Sequence, residues 1–140
     1  MKPRNHYRII IGIDTGVETG FALWDKDVRK LVTVGSYMIH EAMDMVKAYA
    51  GPATLIRVED ARKAVHGRQN DAHKLRGAGS VMRDAKIWED FLTDQGIDFE
   101  MLRPRKQFTK LSVEAFNKIT GWAGRTNNHA RDAAMLVYGY

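Results

Sequence analysis

Cysteine is absent from the 140 residues of this chain, and proline occurs only three times. Without cysteine, neither a disulfide framework nor a thiolate metal site can form, which is typical of a protein from a reducing compartment. Any metal ion must therefore be bound by oxygen or imidazole ligands. The basic start "MKPRNHYR" precedes only the short apolar run "IIIGI", which is too short for a signal-peptide core or a membrane span. These absences predict a cytoplasmic protein without a membrane segment.

The composition that remains is that of a globular domain. Hydrophobic residues make up 44% of the chain and charged residues 28%, and no repeat or low-complexity run interrupts the sequence. A length of 140 residues suffices for one hydrophobic core and predicts a single domain over residues 1–140.

Positive charge is in excess. The formal net charge is +5 and the pI is about 9.6. Basic residues cluster in "DARKAVHGRQNDAHKLR" and "LRPRKQFTK". Either cluster alone is most simply solvated surface charge, but two in one small domain favour a polyanionic partner, most often a nucleic acid.

The residue pattern predicts an α/β fold. Strands are expected in "YRIIIGID", "FALWD", "KLVTVGSYMI", "TLIRVE" and "DFEML". Helices are expected in "HEAMDMVKAYA", from Asn70 or Asp71 to Gly96, around "SVEAFNKIT" and in "TNNHARDAAMLVYGY". The long helix has an apolar stripe of Ala78, Met82, Ala85, Trp88 and Leu92. The order βββαβαβαα argues for a mixed five-stranded sheet with helices covering its faces.

Two carboxylates stand at the ends of predicted strands. Asp14 precedes the turn "TGVETG", where aspartate is common, so by itself it is most simply a turn residue. Glu59 ends the buried run "TLIRVE", where a carboxylate needs a partner or a function. If the first and fourth strands are neighbours, the two carboxylates converge, and such an oxygen-rich pair favours Mg²⁺ or Mn²⁺.

His129 and Asp132 lie three residues apart at the start of the last predicted helix, so they share one face. Capping residues precede them: Thr126, Asn127 and Asn128. The helix dipole favours an ionised carboxylate and a neutral imidazole there, and neutral imidazole is the form that binds metal. A lone histidine is more often only a polar residue at a helix start. Together with Asp14 and Glu59, however, the pair completes a cluster that, beside basic patches, is typical of a two-metal nuclease.

Several stretches resemble the RuvC family of Holliday junction resolvases, which belongs to the retroviral integrase and RNase H superfamily. These stretches are "GIDTGVETGFALW", "VED", "LRGAGS" and "HARDAA". The resemblance spans nearly the whole chain and rests on the order and spacing of the pieces together. It implies an RNase H-like fold and an endonuclease that resolves four-way DNA junctions.

The resemblance also implies roles for single residues. Asp14, Glu59 and Asp132 match the family's metal-binding acids, and His129 matches the position where the family carries aspartate or histidine. Two Mg²⁺ or Mn²⁺ ions per active site are implied, with Asp14 between them. The implied reaction is hydrolysis of a phosphodiester to a 5′-phosphate and a 3′-hydroxyl.

Basic side chains from both clusters are predicted to contact DNA. They are Arg62, Lys63, Arg68, Lys74, Arg76, Arg105, Lys106 and Lys110. Lys110, more than Lys106, matches a basic residue that the family places near the scissile phosphate. The loop after Glu59 lacks the aromatic residue that commonly stacks on opened bases in the family, and the turn after Asp14 is shorter. These departures suggest a divergent, phage-encoded member.

The family acts as a homodimer that nicks opposing strands of the junction, and its long helix contributes to the dimer interface. The small residues of the run Gly77, Ala78, Gly79 and Ser80 fit such an interface. Packing within one subunit explains them equally well.

Three other interpretations are open. The chain is a nuclease of RNase H type acting on other branched DNA or on RNA, or a catalytically silent binder of DNA structures, although the complete set of acids argues against the second. In the third, "GIDTG" is the phosphate loop of an actin-like ATPase or sugar kinase. That class requires a second lobe, for which 140 residues leave no room.

Overall fold

A computed structural model of the chain describes residues 2–64, 72–104 and 111–140, with side chains in the middle range described from residue 79 onward. The strands are β1 (Ile9–Asp14), β2 (Glu18–Asp25), β3 (Lys30–Met38), β4 (Thr54–Glu59) and β5 (Phe99–Leu102). The helices are α1 (Ile39–Tyr49), α2 (Ala72–Asp94), α3 (Val113–Thr120) and α4 (Asn128–Met135). The predicted order βββαβαβαα is confirmed, and no described helix is long and apolar enough to cross a membrane.

The five strands form one mixed sheet in the order β3-β2-β1-β4-β5. Antiparallel pairing joins β1 to β2 and β2 to β3, whereas β1 with β4 and β4 with β5 are parallel. The predicted mixed five-stranded α/β sheet is therefore confirmed. Because β1 and β4 run in the same direction, the residues that end them lie side by side at one edge of the sheet.

Helices cover both faces of the sheet. Alternate side chains of β1 point to opposite faces. Ile11 and Ile13 pack in a core that includes Val46 of α1 and Trp88 of α2. On the other face, Ile10 packs in a core with the following residues of α3 and α4: Phe116, Ala130, Ala133 and Ala134. The sheet is thus the middle of three layers.

The predicted apolar stripe of α2 faces the sheet. Ala85, Trp88 and Leu92 are fully buried, and Met82 is half-buried. The side chain of Ala78 lies outside the described residues. The helix ends at Asp94, two residues before the expected stop at Gly96, whose φ of 66° belongs to the turn that follows.

Helix α4 lies directly on the sheet because two strand residues have no side chain. A Cβ atom on Gly12 of β1 would overlap the carbonyl oxygen of Ala133, and one on Gly20 of β2 would overlap the carbonyl oxygen of His129. Any larger residue at either position would therefore push the helix away from the sheet. The two glycines therefore determine the distance between α4 and the sheet, and with it the position of His129 and Asp132.

Both ends of α4 are tied to the rest of the molecule. At the start, the side chain of Asn127 accepts a hydrogen bond of 2.9 Å from the backbone N–H of Ala130, as a helix cap. At the end, Arg57 of β4 donates a hydrogen bond of 2.6 Å to the carbonyl oxygen of Leu136 and pairs with Glu100 at 2.7 Å. The helix is therefore fixed along its axis as well as in its distance from the sheet.

We expect Gly20→Ala to destabilise the protein by about 1–3 kcal/mol, because the new methyl group collides with backbone rather than with a side chain that can move. Urea unfolding followed by circular dichroism measures this. The control is Gly51→Ala, since a Cβ there meets nothing within 4 Å and the backbone is not left-handed. Equal unfolding midpoints for the two variants would contradict the proposed role of Gly20.

Candidate active site

Asp14 and Glu59 are direct neighbours across the β1–β4 ladder, where each is the last residue of its strand. Since side chains alternate along a strand, both point to the face that α4 covers, together with Gly12 and Arg57. The Asp14 side chain is 14% exposed. The convergence expected from the sequence is therefore present.

Helix α4 brings His129 over this pair of strand ends. Its Nδ1 lies 3.1 Å from Oδ2 of Asp14, within hydrogen-bonding distance. Its side chain is 44% exposed, so solvent reaches the ring. Asp132, one turn further along α4, is close enough to raise the pKa of both Asp14 and Glu59. The four residues predicted from the sequence thus face one another.

A further carboxylate, which the sequence did not single out, stands beside the imidazole. Oε2 of Glu18 lies 4.0 Å from Nε2 of His129, so the ring lies between two carboxylates. Glu18 also accepts hydrogen bonds of 2.9 Å from Ser36 of β3 and from the side chain of Asn127. One available signal was the alternation along β2, which puts Glu18 on the same face as Gly20.

Burial and mutual repulsion raise the pKa values of the two strand-end acids. Burial raises the pKa of Glu59 from 4.5 to about 7, and the charges of Asp14 and Asp132 add to this shift. Burial also raises the pKa of Asp14 from 3.8 to about 6, with a contribution from Asp132 that the hydrogen bond to His129 opposes. The site therefore favours protons, or another source of positive charge, at neutral pH.

The donor set matches a hard divalent cation, although the side chains do not form a coordination shell. Within residues 2–64, 72–104 and 111–140, no group of three or more histidine, cysteine or acidic side chains is arranged to hold a metal ion. Carboxylate oxygens and a neutral imidazole are nevertheless ligands that Mg²⁺ and Mn²⁺ accept, and a cation would relieve the repulsion among Asp14, Glu59 and Asp132. The predicted metal site remains a prediction.

Asp60, which follows Glu59, is buried and does not belong to this cluster. Its carboxylate accepts hydrogen bonds from the backbone N–H and the guanidinium of Arg62. Arg62 also pairs with Glu89 of α2 at 3.1 Å. Arg62 is therefore held by two carboxylates that anchor the loop after β4, and its predicted contact with DNA is untested.

The structure describes few of the other basic residues predicted to contact DNA. Lys63 is exposed and donates a hydrogen bond of 2.8 Å to the carbonyl oxygen of Met101. The remaining residues lie outside the described residues or have no described side chain: Arg68, Lys74, Arg76, Arg105, Lys106 and Lys110. Their roles, including that of Lys110 at the scissile phosphate, stay predictions.

Comparison with known proteins adds a match at the level of the fold. No family model matches the chain, and no curated protein sequence matches it. A solved structure, RuvC from T. thermophilus in complex with a Holliday junction substrate, superposes with a TM-score of 0.56 at 13% sequence identity. The match covers 91% of this chain and 89% of that one. The chain has an RNase H-like fold. At this identity the likeness concerns architecture, and the site must be judged from its own residues.

We expect Glu59→Gln to raise the melting temperature of the metal-free protein at pH 8 by a few degrees, or about 1 kcal/mol. The pKa of Glu59 is about 7 in the folded protein against 4.5 ordinarily. The folded state therefore binds the Glu59 proton more tightly than the unfolded state does. The contribution of this proton to stability is complete below about pH 4.5 and is lost as the pH rises through about 7. The gain of the variant should accordingly vanish at pH 4.

Differential scanning calorimetry with a chelator present, and then with excess Mg²⁺, measures both effects. Mg²⁺ should stabilise the wild type more than the variant, because the cation replaces the missing positive charge. Asp44→Asn, at an exposed position in the middle of α1, is the control and should change stability little at either pH. A gain for Glu59→Gln that did not depend on pH would contradict the electrostatic explanation.

Proposed function

We propose that this protein is a metal-dependent endonuclease that cleaves branched DNA, in the manner of a Holliday junction resolvase. The observation that supports this most directly is the juxtaposition of Asp14 and Glu59 at neighbouring strand ends, with His129 3.1 Å from Asp14. The RNase H-like fold is that of a protein solved with a Holliday junction substrate. The net charge of +5 suits a polyanionic substrate.

Asp14, Glu59 and Asp132 would hold the divalent cations, most simply two Mg²⁺ or Mn²⁺ ions. When bound, these ions supply the positive charge that activates water and stabilises the leaving oxygen of a phosphodiester. Burial and mutual repulsion raise the pKa values of Asp14 and Glu59, which supports a role for added positive charge at this site. The products would be a 5′-phosphate and a 3′-hydroxyl.

The contact between His129 and Asp14 suggests that the histidine positions a water molecule and accepts its proton. If Nδ1–H donates to Asp14, the lone pair of Nε2 points away from that carboxylate. The ring is partly exposed, so a water molecule can reach Nε2, and Glu18 at 4.0 Å would stabilise the charge that the ring gains. In this arrangement His129 acts as a general base.

Resolution of a four-way junction requires two coordinated nicks, and we propose that a homodimer supplies the two sites. The domain would comprise residues 1–140. The proposed DNA contacts come from the basic clusters after β4 and after β5. Phosphate contacts of this kind make affinity fall steeply with salt but carry no sequence preference.

We expect cleavage of a synthetic four-way junction to require Mg²⁺ or Mn²⁺ and to exceed cleavage of a matched fork, duplex or RNA:DNA hybrid. Asp14→Asn should lower the rate about 100-fold or more, because losing even a partner of a metal ligand commonly costs up to that factor. Junction binding in a chelator should survive, since the variant removes a negative charge. Labelled-strand cleavage assays and gel shifts measure these quantities.

Three results would overturn the proposal in different ways. Unchanged metal-dependent nicking by Asp14→Asn would show that the assigned site is not catalytic. Preference for the hybrid, or for forks over four-way junctions, would retain the nuclease but change its substrate. Junction binding without any cleavage would indicate a catalytically silent binder of DNA structures.

We expect His129→Ala to lose most activity, about 100-fold, because a positioned general base contributes at least that much. His129→Asp should retain metal-dependent cleavage, since a carboxylate can also bind metal and accept a proton. Single-turnover rates measured on the junction across a range of pH distinguish loss of a base from loss of binding. Wild-type activity in the alanine variant would refute a catalytic role for His129.

A further inference from the structure

A cavity of about 320 Å³ lies on the α4 side of the sheet, remote from the acids. Trp24 of β2, Trp122 of the loop after α3 and Tyr138 contribute aromatic rings to its lining. Arg29, in the turn between β2 and β3, and Lys30, the first residue of β3, contribute positive charge. We refer to it as the Trp24–Trp122 cavity. Neither the sequence nor the proposed cleavage reaction accounts for this grouping.

The cavity is separate from the candidate active site. Glu18, beside His129, pairs with Met38 at one end of the β2–β3 ladder, whereas Trp24 pairs with Leu31 at the other end. Six residues of strand separate Glu18 from Trp24, which is about 20 Å. A ligand in the cavity would therefore be a second ligand, not the scissile phosphate.

The aromatic part of the lining is closely packed. The rings of Trp24 and Tyr138 meet edge to face with centroids 5.3 Å apart, and Trp24 is only 3% exposed. The indole N–H groups of Trp24 and Trp122 are buried and have no hydrogen-bond partner among the described residues. The indole N–H of Trp88 in the opposite core is likewise buried without a partner among them, so these donors are not specific to the cavity.

The charged part of the lining is purely cationic. No carboxylate lines the cavity, and neither Arg29 nor Lys30 forms an ion pair with a described residue. The carboxylate that follows Trp24, Asp25, is paired with Arg8. The Arg29 guanidinium lies over the Trp24 ring, 5.8 Å from its centroid. Arg29 and Lys30 are therefore available to an anion placed next to the indole.

Arg29 has an unusual backbone conformation. Its φ of 53° lies in the left-handed region that favours glycine. Among the described residues, Arg29 is the one non-glycine residue with a positive φ. A glycine would close the β2–β3 turn at lower cost. The arginine thus occupies a position where turn geometry alone favours a residue without a side chain.

We propose that the Trp24–Trp122 cavity binds a nucleotide, with its base against the more exposed rings of Trp122 and Tyr138 and its phosphate on Arg29 and Lys30. Aromatic rings stack on any base, and adjacent cations bind phosphate, so these elements together select a planar ring that carries an anion. The volume is at the lower end of the range for small-ligand sites. A free mononucleotide and a nucleotide within a single DNA strand share this chemistry.

Protein labelled with ¹⁵N provides a readout for each tryptophan separately. The indole N–H signals of Trp24, Trp122 and Trp88 are assigned by the three Trp→Phe variants and titrated with AMP in a chelator. Trp88 lies in the core on the opposite face of the sheet, so it is an internal control. We expect AMP to shift the signals of Trp24 and Trp122 and to leave that of Trp88 unchanged.

Adenosine and inorganic phosphate, added separately, should each bind much more weakly than AMP. A six-nucleotide single strand distinguishes the two sources: the same shifts at lower concentration than AMP would indicate a nucleotide within a strand, and shifts with AMP alone would indicate a free nucleotide. Either result supports the proposal. Absence of shifts with AMP and the strand, or equal shifts with adenosine or phosphate alone, would overturn it.

Arg29→Gly removes the guanidinium and at the same time relieves the backbone, so this variant is expected to fold at least as well as the wild type. It and Lys30→Gln should each weaken AMP binding about three- to tenfold. Lys47→Gln, on an exposed position of α1, is the matched control and should not change binding. Unchanged binding by both cavity variants would refute the assigned anion site. Junction cleavage, measured in parallel, tests the active site independently of this result.

Discussion

The backbone of α4 contacts the sheet at Gly12 and Gly20, and the candidate active site depends on that contact. The strands bring Asp14 and Glu59 together by pairing alone, but two carboxylates at a sheet edge are only half of the cluster. The other half, His129 and Asp132, comes from a helix of eight residues, which is too short to be stable without packing. Tight packing on the two glycines therefore both stabilises the helix and positions its side chains.

The cluster is unfavourable for the protein by itself. Burial and mutual repulsion raise the pKa of Asp14 to about 6 and that of Glu59 to about 7. Ionising these two acids therefore costs more free energy in the folded protein than in water. Asp60 and Glu100, by comparison, pair with Arg62 and Arg57. Among the described residues Glu59 has no ion-pair partner and Asp14 pairs with His129, so a bound cation would offset the repulsion between these two acids.

The elements and two strand-end acids could be predicted from the sequence because they depend on local patterns. The runs "IIIGID" and "TLIRVE" each end in an acid, and a parallel pairing of their strands suffices to bring Asp14 and Glu59 together. The shared face of His129 and Asp132 likewise follows from helix periodicity. Asn127, one of three candidate caps, proved to be the cap.

Other parts of the site depend on contacts between distant segments, which no local pattern encodes. The 3.1 Å contact of His129 with Asp14 depends on how closely α4 approaches the sheet, which Gly12 and Gly20 determine. Glu18 joins the site only through the β2–β3 register, which places Ser36 beside it, and through Asn127 from α4. Similarly, the Trp24–Trp122 cavity assembles residues from β2, the β2–β3 turn, the start of β3 and the segment after α3. The sequence did not single out its two cations, Arg29 and Lys30.

Most of this fold depends on residue pattern and volume, and only a few contacts depend on the identity of single residues. A core tolerates many exchanges among apolar residues if volume and pattern are kept, so a structural match can cover 91% of this chain at 13% identity. What this chain cannot change freely is the backbone contact of α4 at Gly12 and Gly20, because a Cβ at either position would overlap a carbonyl oxygen. That contact holds α4 over the strand ends that carry Asp14 and Glu59. The geometry of the cluster, more than the sequence likeness, is therefore the reason to test this protein as a nuclease.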